Sequence, residues 1–191
     1  MAQEIEIEVK TLISEEAYNR FLRSFNFRSD DAVVQHNHYF ETKSFLLKEA
    51  QAALRIREKN ETFTLTLKQP HETGLLETHQ SLSSAEAKRA LNEAHLPSGE
   101  VVRALKELNI PVEELSHLGT LTTSRIEFPY KGGSLCFDKS AYFDVIDYEV
   151  EFEGTSPEHA ETTLTSLLQE FNLKTQPTPN KVRRFFSRKF R

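Results

Sequence analysis

Near the N-terminus Ile5, Ile7 and Val9 alternate with Glu4, Glu6, Glu8 and Lys10. That period of two predicts a strand over residues 1–12, with aliphatic side chains on one face and charges on the other. Ser14 then caps a helix whose Ala17, Phe21, Leu22 and Phe25 make one apolar stripe. Strands follow at 32–42, 53–59, 62–68 and 75–82, with a short irregular or helical bend around Phe45 and Leu46. Asn60 and Glu61 mark a hairpin turn, and Pro70 and Gly74 punctuate the exit from the fourth strand. Ser83 or Ser84 starts a helix, and residues 97–115 read as further helix interrupted by Pro111. The chain returns to strands at 120–130, 134–143 and 145–153, with Lys131, Gly132 and Gly133 as a second hairpin turn. Pro157 sits in the first turn of an amphipathic helix ending near Phe171, and a Pro-containing segment leads to a basic C-terminal stretch.

The polar faces of these strands carry the chemistry. Arg55 and Arg57 share one face, as do Thr62, Thr64, Thr66 and Lys68, then Glu77 and His79, then Arg125 and Glu127, and finally Asp147, Glu149, Glu151 and Glu153. Alternation of this kind usually means a sheet with one wet and one buried face. Here, however, like charges recur at i and i+2, giving acid-only and base-only strands where mixed charges would repel less. Such segregation makes sense if metal neutralises the acids and phosphate neutralises the bases. Guanidinium groups match phosphate oxygens, and carboxylates hold hard divalent cations.

A length of 191 residues suits one domain with a sizeable core, spanning residues 1–191 and including a basic C-terminal helix at 180–191. The net charge of -5 argues against general nucleic-acid binding. Cys136 is the single cysteine, so no internal disulfide forms, and no apolar stretch has the length of a signal peptide or membrane span. A cytoplasmic protein is expected. His36 and His38 bracket Asn37 without a third nitrogen or sulfur ligand at informative spacing, which assigns them structural or exposed positions. The tail interleaves Lys181, Arg183, Arg184, Arg188, Lys189 and Arg191 with Phe185, Phe186 and Phe190, which favours a helix docking its phenylalanines over an RNA contact. No P-loop is visible.

Glu6-x-Glu8-x-Lys10 resembles the N-terminal signature of the CYTH, or triphosphate tunnel metalloenzyme, superfamily. The supporting series runs through Tyr39-Phe40-Glu41-Thr42, Ala53-Leu54-Arg55-Ile56-Arg57, Thr64 to Lys68, Glu77, Arg125, Asp138 and Glu149-x-Glu151. The pattern is similar to bacillus-type CYTH-domain proteins, some of them called adenylate cyclases. The resemblance implies an α+β, mainly β fold: a closed eight-stranded antiparallel β-barrel, a tunnel with a polar lumen and helices packed outside. It also implies that Glu6, Glu8, Glu149 and Glu151 bind Mg2+ or Mn2+, while Arg55, Arg57, Lys68 and Arg125 hold the triphosphate and Lys181 and Arg184 close the site.

On this resemblance Lys10 either contacts phosphate or helps activate water, and Glu77 is the other residue able to accept a proton. Three features differ from the usual pattern: His79 stands where the family often has a second Glu, Glu41 replaces an Asp, and Glu4 adds a third acid. The expected activity is divalent-metal-dependent hydrolysis of triphosphate compounds, inorganic triphosphate first and nucleoside triphosphates next, by in-line water attack. Two alternatives stay open, a class IV-type adenylyl cyclase and a non-catalytic polyphosphate or nucleotide binding module. Metal-dependent phosphate release, cyclic AMP formation and binding without turnover separate the three.

Overall fold

A computed structural model describes residues 3–191. The chain runs through β1 (Gln3–Glu6), β2 (Glu8–Ile13), α1 (Glu15–Ser24), β3 (Val33–Thr42), α2 (Leu46–Glu49), β4 (Ala53–Lys59), β5 (Thr62–Pro70) and β6 (Leu75–Leu82). It continues through α3 (Ser84–Glu93), α4 (Glu100–Glu107), β7 (Leu115–Tyr130), β8 (Gly133–Tyr142), β9 (Val145–Glu153), α5 (Pro157–Glu170) and α6 (Lys181–Lys189). Two interleaved units emerge. The first comprises residues up to Glu6 with Gln35–Leu121, and the second Ile7–Val34 with Thr122–Arg191.

In the first unit the strand order is β1-β6-β5-β4-β3, followed by the opening half of β7. Leu54 and Ile56 of β4 and Leu65 and Leu67 of β5 point to one face, where they meet Ala87 and Ala90 of α3 and Val101 and Leu105 of α4. Ser83 and Glu86 form a capping box that starts α3: the Ser83 Oγ accepts from Glu86 N at 3.3 Å, and Glu86 accepts from Ser83 N at 2.8 Å. In the second unit the closing half of β7 is followed by β8, β9 and β2. Ile126, Leu135, Phe137, Val150 and Phe152 line one face and pack against Tyr18, Phe21 and Leu22 of α1 and Leu164, Leu167 and Leu168 of α5. Thus each set of strands turns its aliphatic positions to helices and its charged positions the other way.

The expected mainly β antiparallel architecture is therefore present, with nine strands among the described residues where eight were expected. The predicted first strand divides at Ile7. Glu6 is the last residue laddered to β6, opposite Leu75, whereas Glu8 opens β2 opposite Glu153 and the Ile7 carbonyl accepts from Gly154 N at 2.9 Å. The predicted residues Met1 and Ala2 of that strand lie outside the described residues. The helix expected at 97–115 with an interruption at Pro111 is also corrected in extent: α4 runs over Glu100–Glu107, Val112–Glu114 after Pro111 is a single 3₁₀ turn, and Leu115 already begins β7. The helix ends locally, where Asn109 turns left-handed at φ 56°, Ile110 N donates to Leu105 O at 2.9 Å and Pro111 follows, and β7 beyond it pairs with β3.

Both predicted hairpins form. Asn60 and Glu61 have φ of 49° and 61°, and Lys131 and Gly132 have 42° and 79°. Two left-handed residues in succession match the right-handed twist of the flanking strands. Among the described residues no helix is long and apolar enough to cross a membrane.

Phe137 anchors the second core. It is wholly buried, with ring centroids 5.2 Å from Phe21, 5.5 Å from Phe25 and 5.7 Å from Phe128. Phe137→Ala is expected to lower unfolding free energy by about 3–5 kcal/mol, read as a shifted urea midpoint at constant slope.

Candidate functional site

Cross-strand register assembles the polar residues of the first unit. Arg55 lies opposite Thr66, and Thr66 opposite His79; Lys68 lies opposite Glu77, and Glu77 opposite Glu4. Two rows of facing side chains result. Lys68 Nζ pairs with Glu77 Oε1 and reaches Glu6 Oε2 at 2.5 Å, and Arg55 Nη2 stands 4.0 Å from Glu77 Oε2. Burial disfavours the Glu77 carboxylate, but Lys68 and Arg55 outweigh it and hold its pKa below the ordinary value. Arg57 Nε donates to Asn37 Oδ1 at 2.9 Å. The Arg55 Nε is buried with no hydrogen-bond acceptor.

The second unit holds a denser group. Asp138 lies opposite both Arg125 and Glu149, and Glu151 lies opposite Lys10. Asp138, Glu149 and Glu151 are all buried, and their carboxylate oxygens come within 4.8 Å of one another. Arg125 grips Asp138 with both prongs, Nε to Oδ1 at 2.8 Å and Nη2 to Oδ2 at 2.6 Å, and Nη2 also pairs with Glu151. Lys10 pairs with Glu8 and lies 3.3 Å from Glu151.

The C-terminal helix supplies two more cations. Asn180 caps α6 by accepting from Arg183 N at 2.8 Å, and the segment before it is tied to β2 through Gln176 N to Thr11 Oγ1 at 2.9 Å and Leu12 N to Thr178 Oγ1 at 3.1 Å. Lys181 and Arg184, three residues apart, share a helix face. Lys181 Nζ pairs with Glu149 and Glu151 and meets Asp138 Oδ2 at 2.8 Å. Arg184 bonds Asp147 at 2.9 Å and Glu149 at 2.6 Å, and its Nη2 is buried without an acceptor. Of the tail phenylalanines only Phe185 is fully buried, 4.9 Å from Phe143 between ring centroids; Phe190 is exposed.

This packing of charge sets the protonation states. Burial would lower the Lys10 pKa, but Glu151 and Glu8 raise it well above the ordinary lysine value, so Lys10 is an ammonium at neutral pH. Burial likewise opposes the charges on Lys181 and Arg125, and their carboxylate neighbours overcome it. Burial also disfavours the Asp138 and Glu151 carboxylates; Arg125 and Lys181, with Lys10 at Glu151, hold both below the usual carboxylate range. Glu149 is different. Burial, followed by the hydrogen bond and charge of Glu151, pushes it up to about 7 against the pull of Lys181.

A family model for the CYTH domain matches residues 4–186. The chain belongs to the CYTH family. A Bacillus subtilis (strain 168) protein named "Putative triphosphatase YjbK" is 38% identical over 189 residues, covering 99% of this chain and 98% of that protein. The crystal structure of a Bacillus halodurans protein named "putative adenylate cyclase" is 54% identical, with a TM-score of 0.94 over 97% of this chain and all of that one. A Hippeastrum protein, whose structure is reported with a dominant triphosphatase activity, shares the fold at 24% identity and a TM-score of 0.81, each chain 98% covered.

A divalent cation is what a CYTH protein of this kind calls for, and the donor set fits one. Three buried carboxylates supply only hard oxygen donors. Their oxygens lie within 4.8 Å of one another, close enough to share one ion. The sequence-derived candidates are distributed between the two units. Glu6, Arg55, Arg57, Lys68 and Glu77 belong to the first; Glu8, Lys10, Arg125, Glu149, Glu151, Lys181 and Arg184 to the second.

The site expected from sequence includes neither Asp138 nor Asp147, though both meet its cations here. Asp138 was visible only as part of the CYTH series, and its position between Arg125 and Glu149 depends on register. Glu41, by contrast, is a structural residue: Oε1 accepts from Thr42 N at 2.8 Å and Leu47 N at 3.0 Å, and Oε2 from Lys48 N at 3.0 Å, which caps α2.

Two titrations can be checked directly. His38 bonds Thr120 through Nδ1, and burial, then His117, lowers its pKa below 6.5 against the pull of Glu58. The unfolded chain therefore binds the proton more readily, and stability falls as pH drops below 6.5. His38→Gln should flatten that acid limb in urea denaturation series on either side of this pH. Burial, with Asp138 and Glu151 adding to it against Arg125, raises the Cys136 thiol to about 12. A disulfide reagent at mildly alkaline pH should label no thiol in the folded protein and one equivalent after unfolding.

Proposed function

We propose that this CYTH protein is a cytoplasmic, divalent-metal-dependent triphosphatase acting on inorganic triphosphate and, less efficiently, on nucleoside triphosphates. The observation that carries the reading is the buried Asp138–Glu149–Glu151 cluster ringed by Lys10, Arg125, Lys181 and Arg184. A fold needs no such concentration of buried opposite charges, because an apolar replacement of equal volume is commonly as stable. Substrate and metal charges give it a use. The name of the Bacillus subtilis relative points the same way, and a single family match spanning both units supports one CYTH-like domain over residues 1–191.

In this reading Glu8, Glu149 and Glu151, joined by Asp138, hold Mg2+ or Mn2+ in the second unit, and Glu6 in the first is offered to the same class of cation. The chemistry such a cation supplies is Lewis-acid polarisation of phosphoryl oxygens and of water. Arg55, Arg57 and Lys68 in the first unit, and Arg125, Lys181 and Arg184 in the second, donate to phosphate oxygens. Arg55 Nε and Arg184 Nη2 are donors already desolvated and unpaired, so a phosphate oxygen gains a charge-assisted hydrogen bond without displacing another acceptor. Lys10, fixed as an ammonium, stabilises charge rather than taking a proton. Glu77, held ionised by Lys68 and Arg55, orients those two cations and is the remaining side chain for proton acceptance.

Purified protein should release phosphate from inorganic triphosphate with Mg2+ or Mn2+ and none with chelator. Arg125→Met is expected to lower kcat/KM by about 100-fold or more, and Glu6→Gln/Glu8→Gln to abolish turnover. Cyclic AMP appearing from ATP in place of phosphate would establish the cyclase. Triphosphate that raises the melting temperature without either product would establish a binding module.

A further inference from the structure

Outside the carboxylate cluster of the second unit, one other group of side chains among the described residues presents ligand atoms to a common point. Glu4 on β1 and Glu77 and His79 on β6 have oxygen and nitrogen atoms within 4.8 Å of one another. His79 Nε2 stands 2.9 Å from Glu4 Oε1 and 3.4 Å from Glu77 Oε2. We propose that Glu4, Glu77 and His79 form a second divalent-cation site, selective for a borderline transition-metal ion of the Zn2+ class over Mg2+.

The donor chemistry separates it from the other cluster. Asp138, Glu149 and Glu151 offer oxygen alone, whereas this group adds an imidazole nitrogen. Imidazole binds Zn2+, Co2+ and Ni2+ far better than it binds Mg2+. Two carboxylates and one imidazole leave positions open for water or a ligand, in the manner of sites with three protein donors.

The surroundings hold these donors in place. The His79 ring is fixed through Nδ1, 2.9 Å from the hydroxyl of buried Thr66, which aims Nε2 at the carboxylates. A partner on the far ring nitrogen is the usual device for orienting a metal-binding histidine. Glu77 is similarly divided: Lys68 takes Oε1, and Oε2 turns to His79, with Arg55 Nη2 more distant at 4.0 Å. Exposure is graded across the three side chains, from 4% at Glu77 through 30% at His79 to 68% at Glu4. The innermost ligand is buried and the outermost lies in solvent, which gives an ion its entrance. Glu4, Glu6 and Glu77 together also outnumber the cations Lys68 and Arg55 around them.

The bland account of the same geometry is an imidazolium bridging two carboxylates, and metal binding distinguishes the two. Protein freed of metal by chelator is titrated calorimetrically with ZnCl2 in excess Mg2+, which occupies oxygen-only sites. One Zn2+ equivalent should bind. Thr66→Val should weaken it by about 10- to 100-fold, and His79→Gln by at least as much. His38→Gln and Glu149→Gln/Glu151→Gln should leave it in place. Because Glu77 also serves the triphosphatase reading, that last result separates the two, since binding that survives loss of the second unit's carboxylates does not depend on that reading. Wild-type protein needs no variant to fold: long-range ¹H–¹⁵N spectra should show a single imidazole Nε2, assigned to His79, shifting on Zn2+ addition. An equivalent retained undiminished in His79→Gln, or no Mg2+-resistant binding in the wild type, overturns the proposal.

Discussion

Burying several carboxylates side by side is the constraint around which this molecule is arranged. Each ionised group taken out of water costs several kcal/mol, even after relaxation, unless it is paired. Asp138, Glu149 and Glu151 are buried on adjacent strands, so the chain has to deliver cations to them. Arg125 arrives from β7, Lys10 from β2, and Lys181 and Arg184 from the C-terminal helix. Neutralisation is uneven. Asp138 and Glu151 are held ionised, while burial and the neighbouring Glu151 push Glu149 up to about 7.

Holding such a cluster requires a scaffold with its own source of stability, because the charges contribute little net. Apolar residues on the opposite faces of the same strands provide it. In the second unit Leu135 and Phe137 alternate with Cys136 and Asp138, so one strand serves the aromatic core with α1 and α5 on one face and the carboxylates on the other. β4 and β5 repeat this in the first unit, where Leu54, Ile56, Leu65 and Leu67 meet α3 and α4 while Arg55, Thr66 and Lys68 face away. A period of two makes the arrangement obligatory. A slip of one residue would exchange the two faces entirely.

The two units use their charges differently. In the first, Lys68 and Arg55 hold Glu77 ionised, and Thr66 orients the His79 ring, so acids, bases and imidazole interleave. In the second, acids collect at the centre and cations surround them. The Glu6-x-Glu8-x-Lys10 run contributes to both: Glu6 pairs with Lys68, whereas Glu8 pairs with Lys10 after the strand has changed partners at Ile7. A motif that reads as one feature in the sequence thus supplies two local environments.

The sequence by itself determined most of the strands, the two tight hairpins and the segregation of charge onto strand faces. These follow from side-chain alternation and turn chemistry, which are local properties. It also marked the CYTH family through residues spread along the chain. Only the tertiary structure decided that the residues from Leu115 onward join a strand paired with β3, because that pairing is made with residues distant in the chain. It likewise decided that Glu41 caps α2, that Asp138 stands between Arg125 and Glu149, and that His79 faces Glu4. Each of these depends on register or burial, which bring together residues distant in the chain, and pKa and pairing respond to that environment rather than to sequence neighbours.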